Sequence, residues 1–113
     1  MSERLQRLYC QDILEAGAAI QSYIEGIGCE TFIQDRMRSS AVIREFEIIG
    51  EAVGKLPATL KQVYPEIPWQ EIKDFRNLLA HEYFGVDLEI VWNTIHTDLP
   101  ILLNAVHQTL SDS

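Results

Sequence analysis

Apolar residues return every three or four positions along nearly the whole chain, and no stretch alternates with the period of a strand. That spacing draws one apolar stripe along a helix and commits the chain to helices packed stripe to stripe. Leu5, Tyr9, Ile13, Ala16, Ile20, Tyr23 and Ile27 form the first stripe, over about residues 2–27, with Gly26 and Gly28 as the stop. Val42, Phe46, Ile49, Val53 and Leu56 form the second, in a helix reaching residue 55 from about residue 31 or 39; Ile43, Ile48 and Ala52 widen it. A helix apolar on so much of its circumference must meet more than one neighbour. Gly50 and Gly54 lie one turn apart inside it, each at a cost of about 1 kcal/mol against alanine, which points to close approach of another backbone or a ligand, helix packing being the simpler account.

Residues 57–64 read as a short helical turn, punctuated by Pro65 and Pro68. Pro68 suits the first position of a third helix over residues 68–83, which Gly85 ends. Asp87 can cap a fourth helix with the stripe Leu88, Trp92, Ile95, Leu99, Leu102, Val106 and Leu110; Pro100 inside it should kink it or free a carbonyl. The expectation is an all-α fold: a single domain, residues 1–113, built as an antiparallel four-helix-type bundle with a short extra helix. So much apolar helix surface on so short a chain also predicts a dimer.

Composition narrows the function. The net charge is −8, against the basic balance expected of a protein that holds nucleic acid through its bulk field. All nine Lys and Arg lie from Arg4 to Arg76, so an anion site must be a local pocket in the first two-thirds. No apolar run approaches the roughly 20 residues of a membrane span, and the opening MSERLQRLYC lacks a signal-peptide core. Cys10 and Cys29 form neither a disulfide framework nor a metal set and read as free thiols, which predicts a cytoplasmic protein.

One stretch does not look like packing. In "RNLLAHEY", residues 76–83, Arg76, Asn77, His81 and Tyr83 crowd around three apolar residues. Arg binds phosphate oxygens through two parallel N–H donors, His exchanges a proton near neutral pH, and an amide can orient either. With the 2′-hydroxyl of RNA as internal nucleophile, that set suffices for cleavage without a metal or other cofactor. Arg76 and Tyr83, seven apart, share a face, as do Asn77 and His81, four apart. Arg76 and His81, five apart, point about 140° from each other. Either the helix loosens near His81, or a two-fold axis supplies the facing group from a second copy. The plainer reading makes Arg76 a surface cation paired with Glu71, Asp74 or Glu82, His81 a helix-end residue, and Tyr83 a packed ring. Glu47 and Glu51 resemble half a carboxylate metal site, but ion pairing, with Arg44 for example, is the simpler account; His96 and His107 read as core or surface.

Arg76-Asn77-Leu78-Leu79-Ala80-His81, with Tyr83 completing His-x-Tyr, resembles the motif of the HEPN superfamily and of its HepT family in particular. The stretch Ala41-Val42-Ile43-Arg44-Glu45-Phe46-Glu47-Ile48-Ile49-Gly50-Glu51-Ala52, the "IPW" at 67–69 and "HEYFGVD" at 81–87 match as well. The resemblance implies an all-α homodimer with both motifs facing a shared cleft. It implies a toxin that acts as an endoribonuclease on RNA, with Arg76, Asn77 and His81 as catalytic residues. Its partner would be a minimal nucleotidyltransferase antitoxin that silences it by transferring AMP onto Tyr83. The alternative is a non-catalytic substrate-binding subunit of that nucleotidyltransferase; a purely structural helical dimer is weaker still, having no need of Arg76, Asn77 and His81 together. Arg36, Arg38 and Arg44 could extend the cleft or lie solvated.

Overall fold

The computed structural model describes residues 2–81 and 85–112, and at His81 the backbone alone. Six helices follow in order among these residues: α1 (Glu3–Tyr23), α2 (Cys29–Gln34), α3 (Arg36–Lys55), α4 (Ala58–Val63), α5 (Trp69–His81) and α6 (Leu88–Ser111). The expected all-α class holds, with four long helices and two short ones in place of one.

Local chemistry sets the boundaries. Ser2 caps α1 through a hydrogen bond from the Leu5 N–H at 3.2 Å. The helix ends at Tyr23, short of Ile27, and Gly26 turns the chain with φ +78°, where a side chain would be strained. The expected second helix is two. Asp35 leaves helical backbone after α2, and its carboxylate accepts from the Arg38 N–H at 3.1 Å to start α3. Pro68 stands just before α5, its carbonyl accepting from Ile72 N–H at 3.0 Å. Asp87 caps α6 as expected, accepting from Glu89 N–H at 3.0 Å. α6 continues through Pro100, whose ring is exposed to water, so the fourth helix is one element.

The long helices run antiparallel to their neighbours. Tyr23 meets Glu45 and Tyr9 meets Lys55, which sets α1 against α3. Gly17 of α1 faces Leu103 of α6, where an added Cβ would lie 2.5 Å from a leucine methyl. Gly50 faces Arg76 and Gly54 faces Lys73, which sets α3 against α5. Ile13, Ile20, Val42, Ile49, Val53, Leu99 and Leu102 are almost fully buried at the centre. Each such side chain stabilises the fold by about 1.5–3 kcal/mol relative to exposure.

The bundle is closed where α6, α1, α3 and α5 pack in turn. Between α5 and α6 lies a groove of about 190 Å³, lined by Phe46, Ile49, Ile72, Phe75, Leu99 and Leu102, with Glu71, Thr94 and Asp98 also on its walls. Leu78 on α5 and Ile90 and Ile101 on α6 are about half exposed. No helix among the described residues is long and apolar enough to cross a membrane.

Candidate functional site

α5 owes its position to two anchors. Phe75 meets Phe46 of α3 edge to face, centroids 5.4 Å apart, and Leu79 is buried. At its start, Trp69 donates its indole N–H to the carbonyls of Lys61, at 3.2 Å, and Tyr64, at 3.0 Å. These carbonyls belong to the last turn and cap of α4; each also accepts one backbone N–H, from Tyr64 and Ile67 respectively, and takes the indole on its second lone pair. Trp69 thereby hooks α4 onto α5.

Where α3 and α5 cross, Gly50 removes the side chain that would block contact. A Cβ there would collide with Cβ of Arg76 and lie 2.6 Å from its Cγ. The sequence-based expectation of close helix approach at this glycine is met, and the residue that exploits it is the motif arginine. Gly54 differs: a Cβ there would meet Lys73 Cε at 3.7 Å, an ordinary contact.

The Arg76 side chain rises from that crossing half-buried. Its Nη1 donates to Asn77 Oδ1 at 3.1 Å, and its Nε is buried with no hydrogen-bond partner among the described residues. No carboxylate pairs with Arg76 among the described residues, so the surface ion pairs that the plainer reading allowed with Glu71 and Asp74 do not form. An arginine whose donors lack a carboxylate is suited to an anion from outside. The guanidinium opens onto a cleft of about 200 Å³ lined by Gly50, Glu51, Gly54, Lys73, Arg76 and Asn77.

Of the expected site residues, Arg76 and Asn77 come together in this cleft. His81 closes α5, but its side chain lies outside the described residues, and so do Glu82 and Tyr83. Arg38 and Arg44 are engaged elsewhere. Arg38 pairs with Asp35 at 3.0 Å and donates to the Tyr23 carbonyl at 2.9 Å, and Arg44 pairs with Glu47 at 3.6 Å. Glu51 pairs with Lys55 at 3.9 Å, so Glu47 and Glu51 each meet a cation of their own helix. His96 is exposed and stacks on Trp92 with centroids 4.5 Å apart, and His107 is exposed.

The cleft residue that sequence reasoning missed is Lys73. Its signal was its place three residues before Arg76, on the same face of α5. Lys61, at the end of α4, is close enough that burial first and the Lys73 charge second push its ammonium below the usual lysine range.

Residues 13–109 match the family model described as "Ribonuclease HepT-like". The chain belongs to the HepT-like ribonuclease family. It is 42% identical over 100 residues to a protein of Thermococcus cleftensis named "Probable ribonuclease HepT", covering 88% of this chain and 91% of the relative. It is 38% identical over 104 residues to "Putative RNase TTE0752" of Caldanaerobacter subterraneus, covering 92% and 93%. Against "Putative RNase MJ1216" of Methanocaldococcus jannaschii, identity is 35% over 112 residues, covering 99% and 93%. No solved structure matches the chain. Family membership bears out the resemblance read from the Arg76–Tyr83 stretch and the expectation of a ribonuclease.

Proposed function

We propose that this HepT-like protein is an endoribonuclease that cuts RNA without a metal, as the toxin of a toxin–antitoxin pair. One observation carries the reading: the Arg76 guanidinium, set by Gly50 and steadied by Asn77, has a buried donor with no partner and no carboxylate beside it among the described residues. Such a group binds the two non-bridging oxygens of a phosphodiester. The 2′-hydroxyl of the bound nucleotide attacks phosphorus while the bond to the 5′-oxygen breaks, leaving a 2′,3′-cyclic phosphate and a 5′-hydroxyl. His81 moves the proton between these oxygens. Arg76 stabilises the charge that grows on the phosphorane.

The active species is a homodimer. Arg76 and His81 diverge on one straight helix, so a second copy of α5 beside the first brings His81 of one protomer towards Arg76 of the other. The uncovered groove between α5 and α6, together with half-exposed Leu78 on α5 and Ile90 and Ile101 on α6, offers apolar surface for that association. Tyr83 follows His81 by two residues and Arg76 by seven in the sequence. A cognate minimal nucleotidyltransferase antitoxin silences the toxin by joining AMP to the Tyr83 hydroxyl. The added phosphodiester then competes for Arg76 and the adenosine blocks the cleft.

The test is cleavage of RNA by the purified protein in the presence of a chelator. Arg76→Ala and His81→Ala should each lose at least about a hundredfold in rate, the usual contribution of a positioned proton-transfer group or charge donor. Helical content by circular dichroism should not change. Cleavage that survives both substitutions, or that needs an added divalent metal, overturns the reading.

A further inference from the structure

The cleft beside Arg76 extends along α5 to Lys73. Its floor is the bare backbone of Gly50 and Gly54, one turn apart on α3. Its opposite wall carries two cations three residues apart on α5, Arg76 over Gly50 and Lys73 over Gly54, with the Lys73 stem 3.7 Å from where a Gly54 Cβ would stand. Lys73 has no ion pair among the described residues. Glu51, the one carboxylate on this lining, already pairs with Lys55. Beyond Lys73, the Trp69 hook on α4 sets Lys61 near it. The chain carries net charge −8, yet two cations and a single, partnered carboxylate line this cleft, with the Lys61 charge near Lys73.

We propose that Lys73 seats the phosphate next to the scissile one, so that the cleft binds two consecutive phosphates of a single strand, running from Arg76 past Lys73 towards Lys61. This rests on the reading of Arg76 as the scissile-phosphate residue. Neighbouring like charges such as Lys73 and Lys61 cost energy while the site is empty. A phosphate between them removes the cost, and its binding is coupled to salt through the counterions it releases. A protein acidic overall then selects polynucleotide over mononucleotide by a local pair of contacts and not by its bulk field.

The experiment uses fluorescein-labelled 2′-O-methyl oligonucleotides with one or three phosphodiesters, titrated by anisotropy at several salt concentrations. The wild type should bind the longer strand more tightly. Lys73→Gln should lower that length preference about tenfold, as the loss of one charge-assisted hydrogen bond does. It should also flatten the log K against log salt slope by about 0.7, one phosphate contact on a single strand. Lys73→Arg should restore both, and circular dichroism should report unchanged helix for each variant. An unchanged slope and length preference in Lys73→Gln, an equal loss on both strands, or no salt-dependent binding by the wild type overturns the proposal. A wild type that binds the longer strand as expected but leaves its 2′-hydroxyl form uncut overturns the cleavage reading instead, while the second phosphate seat stands.

Discussion

Gly50 on α3 lies against the root of the Arg76 side chain on α5, with the Arg76 Cα only 3.4 Å from where a glycine Cβ would be. The stem of the arginine fills the space that any other residue at position 50 would occupy. Helix packing and the placing of the anion-binding group are thus one contact.

Gly50→Ala should therefore destabilise the protein although alanine is the better helix former. The overpacking costs about 1–3 kcal/mol, which outweighs the gain of about 1 kcal/mol in helix propensity. Gly54→Ala, whose new methyl would make an ordinary contact at 3.7 Å, should instead stabilise by up to about 1 kcal/mol. Chemical denaturation of the two variants checks the contrast. Equal effects of one sign would contradict the crossing geometry.

Asn77 holds Arg76 Nη1 through its side-chain oxygen. Asn77→Ala should lower RNA cleavage about tenfold by freeing the guanidinium, the loss of a hydrogen bond to a charged group. Asn77→Asp should do worse, because its carboxylate would compete with phosphate for the same N–H. Rates for the two variants, with the salt dependence of binding, decide whether Asn77 positions the guanidinium or only faces water. Equal rates would count against it.

Subunit mixing tests the shared site. Arg76→Ala and His81→Ala proteins, each inactive, should regain part of the wild-type rate when unfolded and refolded together, since one of the two sites in each mixed dimer would be intact. A monomer by light scattering at micromolar concentration would end the two-fold model.

Control by modification has a separate readout. Co-expression with a cognate nucleotidyltransferase should add one or more AMP masses, placed on Tyr83 by tandem mass spectrometry. Tyr83→Phe should remain a ribonuclease and escape silencing by the transferase reaction. If that variant is still silenced catalytically, Tyr83 is not the acceptor.

The two thiols should differ. Cys10 is buried in the core and burial pushes its thiol up, whereas Cys29 is only partly covered. Iodoacetamide should label Cys29 in the native protein and Cys10 only on unfolding. The raised folded pKa also has a sign. Cys10 binds its proton more tightly when folded, so its contribution is full below the unfolded thiol value of about 8.5 and is lost as pH rises through the folded value. Cys10→Ala should reduce the loss of stability across that alkaline window, read by thermal melts at stepped pH.

What the sequence determined by itself is local. The stripes, the cap Asp87, the glycine at the α3 crossing and the Arg76–Tyr83 stretch are written in residues three to seven apart, and helical geometry converts such spacings into shared faces. Even so, the second helix divided at Asp35, because a capping aspartate competes with continuation of the helix. Tertiary structure decided what lies across a space. That Arg76 meets Gly50 and no carboxylate among the described residues, that Lys73 joins it over Gly54, and that Trp69 brings Lys61 alongside all depend on residues eight to twenty-six positions apart. Spacing along one helix carries no information about a neighbouring helix until packing fixes their register. For that reason Arg36, Arg38 and Arg44 could not be told from Lys73 as cleft residues in the sequence, whereas in the fold Arg38 and Arg44 are held by acids on or capping their own helix and Lys73 stands over the bare backbone of another.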